Sequence, residues 1–145
     1  MSNVYSFKNV HASLIGPGAA LSLGDGASVD AEGITIKLKE PKNKMTIGAD
    51  GNGMHSLNAS NACEIAVHLL KTSLLNRDLQ NLYNFQKDSS LTWGQNVLKL
   101  SDVARGDIYL ATQVAFVKSP DNVFAVEGKM LTWEFEGIRL EGALG

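Results

Sequence analysis

The chain has 145 residues, of which 44% are hydrophobic and 19% are charged, and its formal net charge is −2 at pH 7. This composition suits one globular domain with a sizeable core and excludes a disordered chain. It also argues against a surface that binds nucleic acid tightly, since such a surface needs clustered Lys and Arg.

A single cysteine, Cys63, excludes an internal disulfide, so we expect folding in a reducing cytosol. The N-terminal stretch MSNVYSFKNVHASL has no basic segment followed by an apolar run, and we expect no signal peptide. No apolar run approaches the ~20 residues that span a bilayer, so no direct membrane insertion is expected. The sequence therefore predicts one domain, residues 1–145.

Strand-like alternation of apolar and polar residues begins near the N-terminus. In VYSFKNVHASLI, residues 4–15, the apolar positions change from odd to even, which predicts a bulge at Lys8 and Asn9. Turns are predicted at GPG, residues 16–18, and at GDG, residues 24–26.

Two further strands are predicted to have one buried and one wet face. Their apolar positions are Ile34, Ile36 and Leu38 in the first strand, and Cys63, Ile65, Val67 and Leu69 in the second. Cys63 is therefore interpreted as a small core residue and not as a nucleophile.

The hydrophobic period changes in TSLLNRDLQNLYNFQKD, residues 72–88, which predicts one amphipathic helix. Thr72 or Ser73 is the candidate N-cap. The apolar stripe, spaced i, i+4, i+7 and i+8, consists of Leu75, Leu79, Leu82 and Tyr83. This stripe is expected to cover one face or one open end of a sheet.

Three more strands are predicted after the helix, beginning with QNVLKLSD. The second, DIYLATQVAFVK, is predicted to place on one face Ile108, Leu110, Val114 and Phe116. The last is MLTWEFEGIRLEGALG. Its inward side chains are predicted to be Leu131, Trp133 and Phe135, and its outward side chains Thr132, Glu134 and Glu136. A phase change, and hence a bulge, is expected at Gly137.

With a further short strand predicted at LSL, residues 21–23, seven or eight strands and one helix are expected in total. The predicted fold class is mainly β: an antiparallel β-barrel or sandwich with one flanking amphipathic α-helix.

The glycine-rich stretch MTIGADGNGMHSL, residues 45–57, suggests a phosphate loop, a calcium loop or a flexible loop. A phosphate loop would continue with Lys and Ser or Thr at a helix start, which this stretch lacks. A calcium loop beginning at Asp50 would have Met54 at its fifth position and Asn61 at its twelfth, where oxygen ligands are needed. A flexible loop is the remaining interpretation.

No catalytic, cofactor-binding or metal site is predicted. The histidines, His11, His55 and His68, lack short ligand spacing, and Glu64 lies ~13 Å from His68 along an extended strand. The segment from residue 32 to residue 59 leaves two alternatives open. It is either a solvated hairpin or an arm that becomes ordered against an adjacent subunit.

Five stretches, in the order YSFKNVHASLIGPG, EGITI, NKMTIGADGNGMHS, LLKTSLLNRDLQNLYNFQ and DVARGD, resemble a family of tailed-phage structural proteins. That family is similar to the tail tube proteins of contractile-tailed bacteriophages. The resemblance covers nearly the whole chain and has no short diagnostic motif. It implies a small β-barrel or sandwich of which six copies form a ring, with rings stacked into a hollow tube for genome ejection.

The resemblance also implies partners and a location. The partners are further copies of the chain, the sheath protein, and the tape measure, baseplate and tail terminator proteins. Double-stranded DNA passes through transiently and without sequence preference, and no cofactor is implied. The location is the virion tail, after assembly in the host cytoplasm.

Two hypotheses concern particular residues of such a tube. Because DNA must slide, a wall that is neutral or acidic is expected, and the candidate lumen-facing residues are Glu64, Glu134 and Glu136. The candidate inter-ring loop consists of Pro41, Lys42, Lys44, Met45, Ile47, Asp50, Asn52, Met54, His55 and Leu57. We expect this loop to be mobile in the monomer and ordered between rings.

Three alternatives remain. The first is the tube of a headless R-type bacteriocin or of a type VI-like secretion system. The second is a carbohydrate-binding β module, with Trp93 and Trp133 as candidate platforms, although Trp133 alternates inward. A hydrolase is the third, with no site to support it.

Overall fold

A computed structural model describes residues 4–24 and 29–145. It contains nine strands and one α-helix within those ranges. The strands are β1 (Val10–Gly16), β2 (Ala19–Gly24), β3 (Val29–Leu38), β4 (Asn43–Ile47), β5 (Gly53–Leu57), β6 (Cys63–Leu69), β7 (Asn96–Asp102), β8 (Asp107–Lys118) and β9 (Leu131–Ala143). The helix, α1, spans Leu75–Gln86.

Seven strands form one antiparallel sheet in the order β2-β1-β7-β8-β9-β6-β3. The long strands β8 and β9 pair with each other and connect two halves of the sheet: residues 131–137 of β9 pair with β6, and residues 107–114 of β8 pair with β7. The result is a curled half-barrel with β2 and β3 at its two borders. The predicted mainly β fold with a flanking helix is confirmed, and the sheet is open.

β8 changes phase in its middle, which corrects one prediction. Val114 and Phe116 are buried, but Ile108 is 48% exposed and Leu110 is only half-buried. The four therefore do not share one face. The cause is an extra residue opposite β7, with Gln113 at φ 52°, a left-handed conformation that forms a bulge.

The alternation predicted for β9 is confirmed, with Leu131, Trp133 and Phe135 buried. Beyond Gly137 Leu140 packs on the core, whereas Ile138 is 63% exposed. The bulge predicted at Gly137 is wrong, because the register of β9 on β8 continues through this residue without a shift.

The N-terminal bulge predicted at Lys8 and Asn9 is wrong. The chain forms a 3-10 turn at Phe7–Asn9, in which the Ser6 hydroxyl accepts the N–H of Lys8. The turn supplies the phase change that the bulge was meant to explain. The turn predicted at residues 16–18 joins β1 to β2, whereas the one at residues 24–26 lies outside the described residues except for its first glycine.

α1 packs its apolar stripe against the inner face of the sheet. Leu79 and Leu82 are buried, and the Tyr83 ring meets the Phe116 ring edge-on at 5.6 Å. Truncating a leucine buried in this way costs about 2–5 kcal/mol. No helix among the described residues is long and apolar enough to cross a membrane.

The predicted N-caps, Thr72 and Ser73, lie two residues and one residue before the observed N-cap position. The N-cap position is occupied by Leu74, which makes no side-chain cap hydrogen bond. The Ser73 hydroxyl nevertheless accepts the Leu75 N–H at 3.3 Å. It therefore satisfies one of the backbone N–H groups that have no acceptor within the helix.

Candidate functional site

The segment between β3 and β6 stands clear of the sheet as a separate hairpin. β4 and β5 form a two-stranded sheet of their own, with Met45 opposite His55 and Ile47 opposite Gly53. Every residue of both strands is exposed. The flexible loop expected here is therefore a formed hairpin, in agreement with one of the two alternatives that the sequence left open.

The hairpin has two different faces, because side chains alternate across paired strands. One face, here called the hairpin apolar face, consists of Met45, Ile47 and Leu57, with His55 beside them. These three apolar side chains are between 56% and 86% exposed. The other face consists of Lys44, Thr46, Met54 and Ser56. Large apolar side chains in such exposed positions mark a surface that gains from being covered.

Hydrogen bonds clamp the base of the hairpin to the sheet. The Lys42 ammonium donates to the Ser60 carbonyl at 2.6 Å and to the side-chain oxygen of Asn61. The Asn58 side chain donates to the Glu40 carboxylate at 2.8 Å. The carbonyl of Asn61 in turn accepts an N–H of β9. These bonds tie the orientation of the hairpin to that of the sheet.

Asp50 closes the hairpin turn. Its carboxylate accepts the backbone N–H of Asn52 at 3.1 Å and the Asn52 side-chain amide at 2.9 Å. These bonds, the backbone one foremost, lower the pKa of Asp50. The resulting stabilisation is present above the ordinary carboxyl pKa and is lost as the pH falls through the lowered one. Both carboxylate oxygens of Asp50, the residue at which a calcium loop would begin, are thus engaged within the turn.

All ten residues predicted for an inter-ring loop lie in the hairpin or at its base, and all but Lys42 are exposed. The structure brings three of them together on the hairpin apolar face and places Met54 on the opposite face. The sequence reasoning missed Asn58 and Asn61, which accept bonds from Lys42 with a backbone carbonyl and a side-chain oxygen respectively, because no residue type outside a strand shows which ammonium it will bind. Contact with another subunit stays a prediction.

The three glutamates predicted for a channel wall lie together on the face of the sheet away from the core. Glu64 of β6 is directly opposite Glu136 of β9, and Glu134 lies two positions before Glu136 in the same strand. Their outward direction agrees with the alternation in the sequence.

Lysines of β3 and the residue after it neutralise part of this acidic group. The Lys37 ammonium lies 3.3 Å from the Glu64 carboxylate, and the Lys39 ammonium lies 2.8 Å from that of Glu136. The hydrogen bond to Glu136 raises the pKa of Lys39. No ion pair between described residues involves Glu134. The sequence could not show these pairs because they depend on the register of β3 on β6.

No group of three or more His, Cys, Asp or Glu side chains in the described ranges could hold a metal ion. The Nδ1 of His55 bonds to the side-chain amide of Asn43, and that of His68 bonds to the Thr132 hydroxyl. Cys63 is fully buried, and burial raises the pKa of its thiol. A raised pKa disfavours the thiolate, so Cys63 is a core residue as predicted.

The described part of the chain is an open antiparallel half-barrel with one covering helix and a free-standing hairpin. Two solved structures share the fold over 100% of this chain. One is a chain of the PVC sheath-tube complex of an extracellular contractile injection system in the extended state (12% identity, TM-score 0.54, 95% of that chain). The other is the tube terminating cap of the anti-feeding prophage, AFP (8% identity, TM-score 0.51, 93% of that chain).

The family model described as bacteriophage PhiTE tail tube protein matches residues 1–145. The chain therefore belongs to this family of phage tail tube proteins, and its role is structural, in the tail tube of the virion. The resemblance found in the five sequence stretches is confirmed. No curated protein matches the chain.

Proposed function

We propose that six copies of the chain form a ring and that rings stack into the inner tube of a contractile tail, through which double-stranded DNA is ejected. The observation that carries the proposal is the open sheet. β2 and β3 each have one neighbouring strand in it, so each presents a row of backbone N–H and C=O groups at a border. Pairing β2 of one copy with β3 of the next would continue the sheet around a ring, and closure would leave no border.

We propose that the polar face with Glu64, Glu134 and Glu136 lines the bore. Each favourable phosphate contact would hinder sliding, so the wall must not carry unpaired cations. The pairing of Lys37 with Glu64 and of Lys39 with Glu136 supports this assignment, because it cancels the positive charge at these positions. A bore of paired charges with Glu134 in excess is non-adhesive to phosphate.

The hairpin, from Pro41 to Ala59, is proposed to contact the adjacent ring. Its support is the exposure of all its strand residues and the apolar character of one face. Because the clamp around Lys42 anchors its base, the hairpin can transmit the position of one ring to the next.

Several partners follow from this role. The fold likeness to a tube from a sheath-tube complex and to a tube-terminating cap supports a surrounding sheath protein and a tail terminator protein. A tape measure protein inside the tube and a baseplate at its end complete the proposed set, with assembly in the host cytoplasm. The role requires neither catalysis nor a cofactor.

A second candidate is the tube of a headless R-type bacteriocin or of a type VI-like secretion system. The fold likeness to two contractile injection systems favours it. The carbohydrate-binding alternative has little support from the two tryptophans. Trp133 is 1% exposed and donates its indole N–H to Asn76, and Trp93 is half-buried with its ring edge-on to Tyr83.

Electron microscopy of the concentrated full chain tests the proposal. We expect hollow rods, and a reconstruction with six copies per ring, β2 paired to β3 of the neighbour, and Glu64, Glu134 and Glu136 facing the channel. A chain that stays monomeric at every concentration would contradict the tube. A channel wall dominated by Lys and Arg would contradict the assignment of the bore.

A further inference from the structure

A second exposed apolar surface lies near the start of α1. It is called here the Leu74 surface and is formed by exposed apolar residues of two segments that Lys71 joins: Leu70 and Leu74 before the helix, and Val123, Phe124 and Val126 between β8 and β9. Their exposed fractions run from 49% for Val123 to 106% for Val126. Monomeric soluble proteins rarely leave such a group of large apolar side chains uncovered, so this surface calls for a partner.

The Leu74 surface is held in place by polar contacts. The Lys71 ammonium donates to the Val123 carbonyl at 2.7 Å and lies 3.9 Å from the centre of the Phe124 ring. The Ser119 hydroxyl donates to the Gln80 side chain of α1 at 2.8 Å. The segment between β8 and β9 is therefore tied to the helix, although it has no regular secondary structure.

The hairpin and the Leu74 surface lie at opposite ends of the same strands. β3 and β6 pair from Leu38 opposite Cys63 to Val29 opposite Leu69. The hairpin joins β3 to β6 at the end with Leu38 and Cys63. Leu70 follows directly after the other end, at Leu69. Seven residues of β6 at ~3.3 Å each separate the two ends by about 20 Å. Each copy thus carries an apolar projection at one end and an apolar surface at the other.

We propose that the hairpin apolar face of one copy docks on the Leu74 surface of a copy in the next ring. This inference rests on the proposed stacking of rings and names the surface that receives the hairpin. Two different surfaces meet in such a contact, so it is heterologous and repeats along an axis without closing. A tube needs that property, whereas a hairpin that paired with another hairpin would stop at two rings.

Charged substitutions test the contact from both sides. Ile47→Asp on the hairpin and Phe124→Asp on the Leu74 surface are each expected to raise the protein concentration needed for rods by roughly tenfold or more, with rings still formed. The matched controls are Thr46→Asp, on the other hairpin face, and Val103→Asp, exposed in the β7–β8 turn. Both should assemble like the wild type, and all four should keep the wild-type melting temperature. Rods of Phe124→Asp at the wild-type concentration would overturn the inference.

Disulfide trapping tests the direction of the contact. A chain with both Leu57→Cys and Val126→Cys, oxidised after assembly, is expected to give a ladder with steps of 15.6 kDa on a non-reducing gel. Each single variant should stay monomeric on the same gel, because the natural Cys63 is buried. Dimers of the Leu57→Cys variant alone would show hairpins in contact with each other and would overturn the heterologous contact.

The two proposals fail in distinguishable ways. A wild-type chain that forms no rods contradicts the proposed function, and the docking inference falls with it. Rods that give no ladder, and that tolerate Phe124→Asp, leave the tube standing and overturn only the docking. The Leu74 surface would then belong to a different contact, such as one with the sheath protein.

Discussion

Two buried amide side chains join the end of α1 to the start of β7. The Gln86 side chain donates to the Asn96 side-chain oxygen at 2.7 Å, and Asn96 donates back at 2.8 Å. Gln86 also donates to the Pro17 carbonyl at 3.1 Å. Both side chains are fully buried. This pair determines where the helix, the strand and the turn after β1 meet, since a buried amide without its partner costs more than the bond contributes.

Gln86→Ala is therefore expected to lower the free energy of unfolding by about 2–3 kcal/mol, because it leaves Asn96 buried without its partner. Urea denaturation measures the change. The control is Asn81→Ala, an exposed position on the same helix, for which a change within about 0.5 kcal/mol is expected. Equal effects of the two substitutions would show that the amide pair does not hold the helix in place.

No residue type signals this pair, since a Gln at a helix end and an Asn at a strand start are usually exposed. The predicted turn at residues 16–18 likewise explains only half of the requirement for Gly16. A Cβ at Gly16 would lie 1.7 Å from the Asn96 side-chain oxygen. The glycine is required because the backbone passes directly over the amide pair.

The bulge in β8 is the element that divides the sheet into two halves. Gln113 has a positive φ, and on its two sides the buried positions change from odd, as at Ala111, to even, as at Val114. With this bulge, β8 pairs with β9 along nearly its whole length, residues 108–118, and with β7 only over residues 107–114.

Gln113→Val is expected to destabilise the chain by about 1–2 kcal/mol, because a β-branched residue is strained at positive φ. Thr112→Val, at the neighbouring position, is the control and should have a much smaller effect. Thermal unfolding of both variants measures the two changes in stability. A Gln113→Val protein as stable as the control would indicate that the bulge can move to another residue.

The contacts of Lys42 give a prediction for the hairpin. Lys42→Met removes the bonds to the carbonyl of Ser60 and the side chain of Asn61, so the base of the hairpin should open more often. Limited proteolysis of the free subunit should then cut residues 41–59 severalfold faster, with little change in overall stability.

Lys44→Met is the matched control for that measurement. Lys44 is exposed on the hairpin, one position into β4, and its replacement removes the same charge. It should leave the rate of cleavage unchanged. Equal acceleration by both substitutions would mean that charge, and not the clamp, protects the segment. Assembled rods of the wild type should protect the same residues further.

Strands with a simple alternation could be predicted from the sequence, as Ile65 and Val67 in β6 and Trp133 and Phe135 in β9 show. Their burial follows from the two-residue period alone. The bulge at Gln113 could not be predicted, since no residue type there signals a positive φ. The hairpin was interpreted as a loop because its strands bury no face, and burial is what makes alternation visible.

The candidate site also has some features that follow from local alternation and others that depend on the fold. The outward direction of Glu64, Glu134 and Glu136 follows from alternation within one strand, so the sequence sufficed. The pairing of Glu64 with Lys37 and of Glu136 with Lys39 depends on the register of β3 on β6 and of β6 on β9, which is a long-range property. The Leu74 surface combines residues more than 40 positions apart in the chain, and only the fold brings them together.

On the scale of the whole molecule, the chain has two separate sets of incomplete surfaces. β2 and β3 border the sheet at its sides, whereas the hairpin and the Leu74 surface lie at opposite ends of β3 and β6. The first set would join copies within a ring, and the second would join one ring to the next. Because different residues serve the two contacts, substitutions should remove one and leave the other intact.

Ser22→Lys separates the two contacts. Ser22 is exposed on the border strand β2, where a lysine would have to lose water if a neighbouring strand paired beside it. Sedimentation of this variant should show monomers under conditions in which the wild type forms rods, whereas Ile47→Asp should show rings. Ser13→Lys, directly opposite Ser22 on the inner strand β1, carries the same charge on the same face and should still form rings. If Ser22→Lys formed rings as readily as Ser13→Lys, β2 would not be part of the contact between neighbours, and the ring would have to close through another surface.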